Sequence, residues 1–540
     1  TRTDIADDSF AAPTNDIERK LAEIWTAVLG IDVVSVHDNF FEVGGDSILS
    51  IQIIARAKQA GIHITPKQVF QHLTIAELAR VAQSGASPQA DQATVTGELP
   101  LTPIQHWFFE RQLPNPNYWN QAYLLDVPRD LDKTYFDEAL GHLLRHHDVL
   151  RSRFRYINGT WRQTIASAAT TVRVQPHDLS HLDRQAQIAA MEAMAAALQA
   201  NLDIGAGPLL AAALFECGAH NGNRLCLAIH HLVVDAVSWQ ILLEDLETAY
   251  VQLTWGQAVQ LPAKTTSFKT WAERLVEYAR SDAPRHEQRY WLQEAASKNV
   301  QIPVDFPGGI NIEASERRVI VELGGDETAS LLKEAPAAYN TRIDDLLLTA
   351  MTMTCARWVG ADAFSLDMEG HGREDIIDGI DLSRTVGWFT SFYPLTLELP
   401  TREPGAAIKS IKEQLRRIPH RGIGFGVSCY LSDDDATRDK FHHVPRSPVL
   451  YNYLGQFGRS NAVRALFKPT TESAGPSHDL KGLRSHVLEI DAMVIDDRLR
   501  VEWVYSENLH ERTTIETLAN DYMSNLRTLI AHCRSPETGG

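Results

Sequence analysis

Cysteine is scarce in this chain of 540 residues: five in all, Cys217, Cys226, Cys355, Cys429 and Cys533. They lie far apart, with no metal or redox spacing, and the odd count argues against a disulfide framework. Free thiols in a reducing compartment are expected. No apolar run is long enough to span a bilayer, and no signal peptide is expected. The chain is therefore expected to be cytoplasmic, with no membrane partner. Positive charge is also short, with 51 basic against 69 acidic residues and a formal net charge of -18. A nucleic-acid partner would call for a clustered basic face, so that class is set aside. Because Thr1 stands where an initiator Met would be, we expect a piece excised from something longer.

What is present is a globular composition, 44% hydrophobic, in a chain long enough for three or four domains. Residues 1–14 are polar and predict a disordered tail. Asn15, with Glu18 three positions on, predicts a capping box opening a helix, and Ile17, Leu21, Ile24, Trp25 and Val28 line its inner face until Gly30 ends it. After the loop Val33–Val43, the glycines of Gly44-Gly45-Asp46-Ser47 allow a tight turn, and Ser47 opens a second helix with Ile48, Ile51, Ile54 and Ala55 facing inward. A short helix over 66–72 and one capped by Thr74 with Glu77 complete a four-helix bundle over 15–82. A Ser-, Ala-, Gln-, Pro- and Thr-rich linker follows, 83–97. No histidine in this bundle is placed to activate Ser47, so a nucleophilic serine is not expected there.

Residues 98–535 alternate strand and helix patterns and predict two α/β lobes, about 98–275 and 276–535. Their centre of organisation is the stretch Leu225 to Trp239. Leu225–Ile229 predicts a strand buried on both faces, His230 and His231 stand where it ends, and a helix follows with Trp239, Leu242, Leu243, Leu246 and Tyr250 on one face. Asp235 and Ser238 are the residues able to cap it. The pair reads as satisfied core, as catalytic imidazole or, with Asp235, as two metal ligands; no third ligand stands at a convincing spacing, which weakens the metal reading. A second pair, His146-His147 in Arg145–Arg151, continues a helix from about Lys133 and reads as structure around a buried arginine or a capped turn. Two long helices are predicted at 266–279 and 286–296. Asp344 and Asp345 open a buried helix and read as structural, stabilised at its positive end. In Asp367–Glu374, by contrast, Glu369 stands at a strand end beside glycines and is a candidate base. The glycine-rich loop Pro419–Gly426 follows no strand of a βαβ unit, so a nucleotide reading is poor.

Two resemblances rest on these stretches. Asp38-Asn39-Phe40-Phe41-Glu42-Val43-Gly44-Gly45-Asp46-Ser47-Ile48 resembles the attachment site of peptidyl carrier domains of nonribosomal peptide synthetases, which implies a 4'-phosphopantetheine arm on Ser47. Its Asp46 form is typical of carriers serving an epimerization domain. The set PIQHWF, HHLVVDAVSW, DDLLLTA, EGHGRE, RTVGWFTSFYP, PHRGIGFG and YNYLGQF resembles, in order and spacing, the signatures of the epimerization domains of those synthetases. That implies a two-lobed fold of the chloramphenicol acetyltransferase type with its active site in a tunnel between the lobes. One departure is Ala236, where the family's motif has Gly. The implied reaction is inversion of an α-carbon held as a thioester, by removing a proton from one face of a planar enolate and returning one to the other. In this reading Glu369 is the base, His231 an acid, base or enolate stabiliser, Asn452 and Tyr453 hydrogen-bond donors or proton relays, and His230 and Asp235 structural. No metal is implied, and a pyridoxal-phosphate racemase would need a Schiff-base lysine that none of the signatures contains. The partners implied are the chain's own carrier with its thioester-bound substrate, an upstream adenylation domain, a downstream condensation domain and a phosphopantetheinyl transferase. Two rivals stand: a condensation-type domain joining two acyl groups into an amide, and a catalytically silent docking module.

Overall fold

The computed structural model describes residues 10–84, 90–295, 301–457 and 466–535. The first helix, Asp16–Leu29, starts at Asn15, whose side chain accepts from Glu18 N, and ends at Gly30 in the left-handed conformation. The predicted capping box is not closed: the Glu18 carboxylate reaches past Asn15 to Thr14 N and Oγ1, both at 2.7 Å. Part of the predicted tail is thereby fastened, and Ala11 is further held by N–H donation to Ser35 Oγ; residues 1–9 lie outside the described residues.

The second helix, Ser47–Gln59, opens at Ser47 as expected, capped by Asp46, whose Oδ1 accepts from Ile48 N and Leu49 N. Its apolar residues serve two faces. Leu49, Ile53, Ile54 and Ala57 join the core of the small bundle, whereas Ile51 is buried in the core of the following domain with Ile48 packed against it. Helices Pro66–Gln71 and Ile75–Val81 complete the bundle. The predicted linker begins with Gln83–Ser84 still paired to Ile62–His63. Beyond residues 85–89, which lie outside the described residues, Gln92 is tied to the backbone of Lys264.

The rest of the chain forms two α/β lobes. The first contains a five-stranded sheet in the order Lys468–Pro469, Asn120–Val127, Asn223–His230, Leu210–Glu216, Gln175–Asp178, and a separate three-stranded sheet. The second contains a six-stranded sheet in the order Glu316–Glu322, Arg498–Ser506, Leu488–Ile495, Val449–Phe457, Ala363–Gly370, Ser391–Glu398. Helices Ile343–Val359 and Arg512–Cys533 contribute to the core on that sheet. The lobes interlock: Ile377, Leu382, Val386, Trp388, Phe389 and Phe467 are buried in the core of the first lobe. Helix Phe268–Ala279, capped by Ser267, is continuous through residue 275. The next helix begins at Asp282, four residues earlier than predicted, because Ser281 caps it; residue 296, its predicted end, lies outside the described residues.

Candidate active site

Strand Asn223–His230 carries apolar side chains to both faces, Leu225, Leu227 and Ile229 into one core and Cys226 and Ala228 into another. The two histidines at its end part company. His230 is fully buried; its Nε2–H donates to Pro116 O at 2.8 Å and its Nδ1 accepts from Leu232 N. Burial drops its pKa to about 3, so it is a neutral strut. His231 opens a single tight turn, His231–Val233, and lines a cavity. Its Nδ1 faces Val234 O at 2.8 Å and must carry the hydrogen, which leaves the Nε2 lone pair to accept from Gln121 Nε2 at 3.0 Å. The orientation of that amide is fixed in turn, because Gln121 Oε1 accepts from Trp239 Nε1 at 2.8 Å. Burial holds the imidazole near a pKa of about 4, and the Trp388 ring lies 4.3 Å from it.

Asp235 does not reach into the cavity as a free acid. It caps helix Ala236–Thr254 by accepting from Ser238 N at 2.7 Å, and both its oxygens accept from Arg373 Nη2, at 3.0 and 3.1 Å. Arg373 is buried and follows the strand that bears Glu369, so this ion pair ties the histidine turn of one lobe to the other. The path of that segment demands glycine at 372, where φ is +64° and a Cβ would lie 1.7 Å from Phe389 O. Ala236, the departure from the family motif, is the first residue of the helix and has no positive φ, so its methyl adds no backbone strain; it lines the cavity wall.

Glu369 enters the same cavity from strand Ala363–Gly370 of the second lobe. Thr390 Oγ1 donates to its Oε1 at 3.4 Å, yet burial, and then the charge of Asp491, push its pKa up to about 8. Asp491 is itself pushed to about 7 by burial and by Glu489. Asp491 pairs in register with Asn452 on the neighbouring strand, and Glu489, Asp491 and Asn452 all line the cavity. Sequence reasoning missed Gln121, Glu489 and Asp491. A signal for the two acids existed: strand Leu488–Ile495 alternates strictly, with Leu488, Ile490, Ala492 and Val494 buried and Glu489 and Asp491 on the opposite face.

The cavity encloses about 420 Å³ and runs from His231 and Glu369 to Ser47 of the small bundle. The bundle is seated by Gln456 Nε2–H to Gly44 O and by Gln52 Nε2–H to Gln240 Oε1, both at 2.5 Å, and by Lys58 with Asp381. Tyr453 stands at this end. Its hydroxyl is buried without a hydrogen-bond partner among the described residues, and its pKa is well above the usual phenol range through burial and the charges of Asp46 and Asp344. Asp344, read from sequence as structural, also lines the cavity. Asp345 accepts from Arg342 N at 2.7 Å.

The other histidine pair stands elsewhere. His147 Nε2–H donates to Asp245 Oδ2 at 2.8 Å, Asp245 also holds Arg384, and Arg151 is buried against Asp148 and the carbonyls of Val95 and Ala166.

With this geometry in hand, comparison with known proteins gives the class. The family model described as "Phosphopantetheine attachment site" matches residues 19–82, and the one described as "Condensation domain" matches residues 95–538. The chain belongs to the condensation-domain family, preceded by a phosphopantetheine carrier. Within it, the chain is a peptidyl carrier–epimerization didomain of the nonribosomal peptide synthetase type. It is 35% identical to the crystal structure of the epimerization domain from the third module of tyrocidine synthetase B, with a TM-score of 0.77 over 82% of this chain and 99% of that one. Two linear gramicidin synthase polypeptides of Brevibacillus parabrevis are also similar, one 48% identical over 539 residues and the other 46% identical over 541. Those matches take in 98% of this chain but only 10% and 7%, respectively, of the two synthase polypeptides. The carrier takes a covalently attached 4'-phosphopantetheine; Ser47 is half-buried and lines the cavity. No helix among the described residues is long and apolar enough to cross a membrane.

Proposed function

We propose that the C-terminal domain, about residues 98–535, is a cofactor-independent epimerase that inverts the α-carbon of an aminoacyl or peptidyl group held by the carrier, about residues 15–82. One observation carries this reading: His231 from one lobe and Glu369 from the other line a single cavity that also reaches Ser47. When bound, the arm supplies a thioester, which acidifies the neighbouring α-hydrogen, and the length to bring it inward. The chain's residues do the rest. With a pKa of about 8 for Glu369 and about 4 for His231, the resting placement at neutral pH is a protonated Glu369 and a neutral His231. Nε2 of His231 takes the α-proton from one face, trading its bond with Gln121, while Glu369 returns a proton to the other. The opposite placement, His231 protonated and Glu369 ionised, carries the same total charge and has Glu369 as the base. Each placement is therefore competent for one direction of inversion. Asn452, and Tyr453 with its protonated hydroxyl, are donors for the negative charge that develops on the carbonyl oxygen. Asp235 and His230 position the turn.

The upstream adenylation domain, the downstream condensation domain and the phosphopantetheinyl transferase are the partners this reading calls for. The test is to load Ser47 with an L-aminoacyl-pantetheine, incubate in heavy water, hydrolyse, and measure chirality and α-deuterium together. A D/L mixture carrying deuterium, lost in His231→Ala or Glu369→Gln, is expected. Unlabelled L product from several aminoacyl and dipeptidyl loads would move the assignment to amide formation or docking.

A further inference from the structure

The carrier-side end of the cavity holds two guanidinium groups that, among the described residues, no carboxylate grips by a hydrogen bond. A pocket beside Ser47 is walled by Phe41, Gly45, Asp46 and Phe70 of the carrier and by Arg342, Asp344 and Arg421 of the second lobe. The Arg342 guanidinium makes no hydrogen bond or ion pair with a described residue, and the carboxylate paired with Arg421, that of Glu374, is a full 4.0 Å away. Neither guanidinium forms an ion pair with Asp344, although Asp344 shares the pocket. Both lie over the Phe70 ring, at 5.1 Å for Arg342 and 4.3 Å for Arg421, and Arg342 also lies over Phe41 at 5.7 Å. Stacking on a ring orients a guanidinium plane while leaving its N–H edge unsatisfied.

The route by which Arg421 arrives is costly. His420 and Arg421 both adopt left-handed backbone, φ 40° and 50°, and Gly422 follows at φ 88° with Tyr393 packed where a Cβ would stand. Two consecutive non-glycine residues in that region persist only when their surroundings hold them there. Two like charges beside one another attract an anion; Asp344 and Asp345 act on Arg342, and Asp344 on Arg421, through space, but among the described residues no carboxylate hydrogen-bonds either guanidinium.

We propose that Arg342 and Arg421 form a seat for the phosphodiester of the arm on Ser47, so that the modified carrier is held more tightly than the unmodified one. The chemistry fits: a phosphodiester offers one negative charge and two free oxygens, which a guanidinium fork grips through charge-assisted hydrogen bonds. This rests on the carrier assignment alone and is independent of whether the domain epimerizes.

The test uses the full chain in its unmodified and phosphopantetheinylated forms. In the modified wild type, the phosphorus-31 resonance is expected to be shifted and broadened relative to the same chain unfolded in urea. Amide exchange over residues 40–50 and 68–71 is expected to slow about tenfold on modification, as one or two charge-assisted hydrogen bonds give. In Arg342→Gln and Arg421→Gln the resonance should sharpen toward its unfolded position and the difference in exchange should vanish. Arg342→Lys, which keeps the charge and loses the fork, should fall between and serves if the glutamine variants do not fold. Equal protection of both forms in the wild type, or a modification effect undiminished in the variants, would overturn the seat and leave the arginines as clamps on Phe41 and Phe70. Equal protection of the unmodified chain by millimolar inorganic phosphate would overturn the assignment to the arm.

Discussion

Two histidine pairs in this chain look alike on paper and differ in three dimensions. His146-His147 and His230-His231 each end an element of the first lobe, and each is bound through an aspartate to an arginine of the segment after residue 370: His147 through Asp245 to Arg384, and the His231 turn through Asp235 to Arg373. In the first case the aspartate accepts from the histidine itself, and the histidine, the aspartate and the arginine close on one another. In the second the aspartate takes its arginine and the helix N-terminus, and His231 is left facing a cavity with a carboxyl group of very different pKa in the opposite lobe. A pair of titratable groups pushed apart by environment across a cavity is what distinguishes a site for proton transfer from a structural knot.

The strongest way to break the comparison is Glu369→Gln. Removing the group that serves the second face should lower inversion by about a thousandfold, the range expected for a general acid–base residue. The pH profile sharpens it: inversion should be flat between the two pKa values of about 4 and 8 and fall above about 8. There Glu369 is ionised while His231 is still neutral, so a base remains but no acid faces it; deuterium wash-in with retention should persist where inversion fails. The same substitution has a stability signature. In the unfolded chain Glu369 ionises near 4.5, in the folded chain near 8. Between those values the unfolded state binds fewer protons, so wild-type stability declines as pH rises through that window, at about 1.4 kcal/mol per unit at most. Glu369→Gln should remove this decline, visible as a smaller loss of urea midpoint between pH 5 and pH 8.

Next in size is Asp235→Ala. It leaves Arg373 buried without its carboxylate and should cost about 3–5 kcal/mol of stability, with a fall in inversion of about a hundredfold per folded molecule because the turn bearing His231 loses its tie to the second lobe. Gln121→Leu is milder. It removes the donor to His231 Nε2 but keeps Val234 O on Nδ1, so the tautomer is retained and only the aim of the ring is lost. An activity reduction of about tenfold is expected, with the nitrogen-15 tautomer signature of His231 unchanged.

Legibility in the sequence followed the range of the interactions. The cap at Asp235, the doubly buried strand at 225–229 and the apolar face of the helix after Asp235 are local patterns, and they stand in the structure as expected. Most of what failed was long-range. Ile48 and Ile51 are spaced like core residues, but a helix that is apolar on two faces does not say which face meets its own bundle and which meets a neighbour. Glu18 chose Thr14 over Asn15, which no spacing rule anticipates. Gln121 lies in a strand 110 residues from the histidine it holds, and no motif contains it. Glu489 and Asp491 were legible in the alternation of their strand and were passed over because that strand carries no motif. Ser47, His231 and Glu369 were singled out by their motifs; that they line one cavity is a property of the fold.

The smallest expected effect on chemistry is also the sharpest control. Asp245→Asn removes the charge that Arg384 and His147 share, but Arg384 keeps Glu244 at 3.0 Å, so the loss of stability should be about 2–3 kcal/mol, below that of a fully stranded buried cation. Nothing in that cluster lines the cavity that holds Glu369. Inversion per folded molecule should therefore match the wild type at 25 °C, measured by chirality and α-deuterium after correction for the folded fraction. A fall of tenfold or more would mean that the two arginine ties act as one interlobe hinge, and that the second histidine pair is part of the machinery after all.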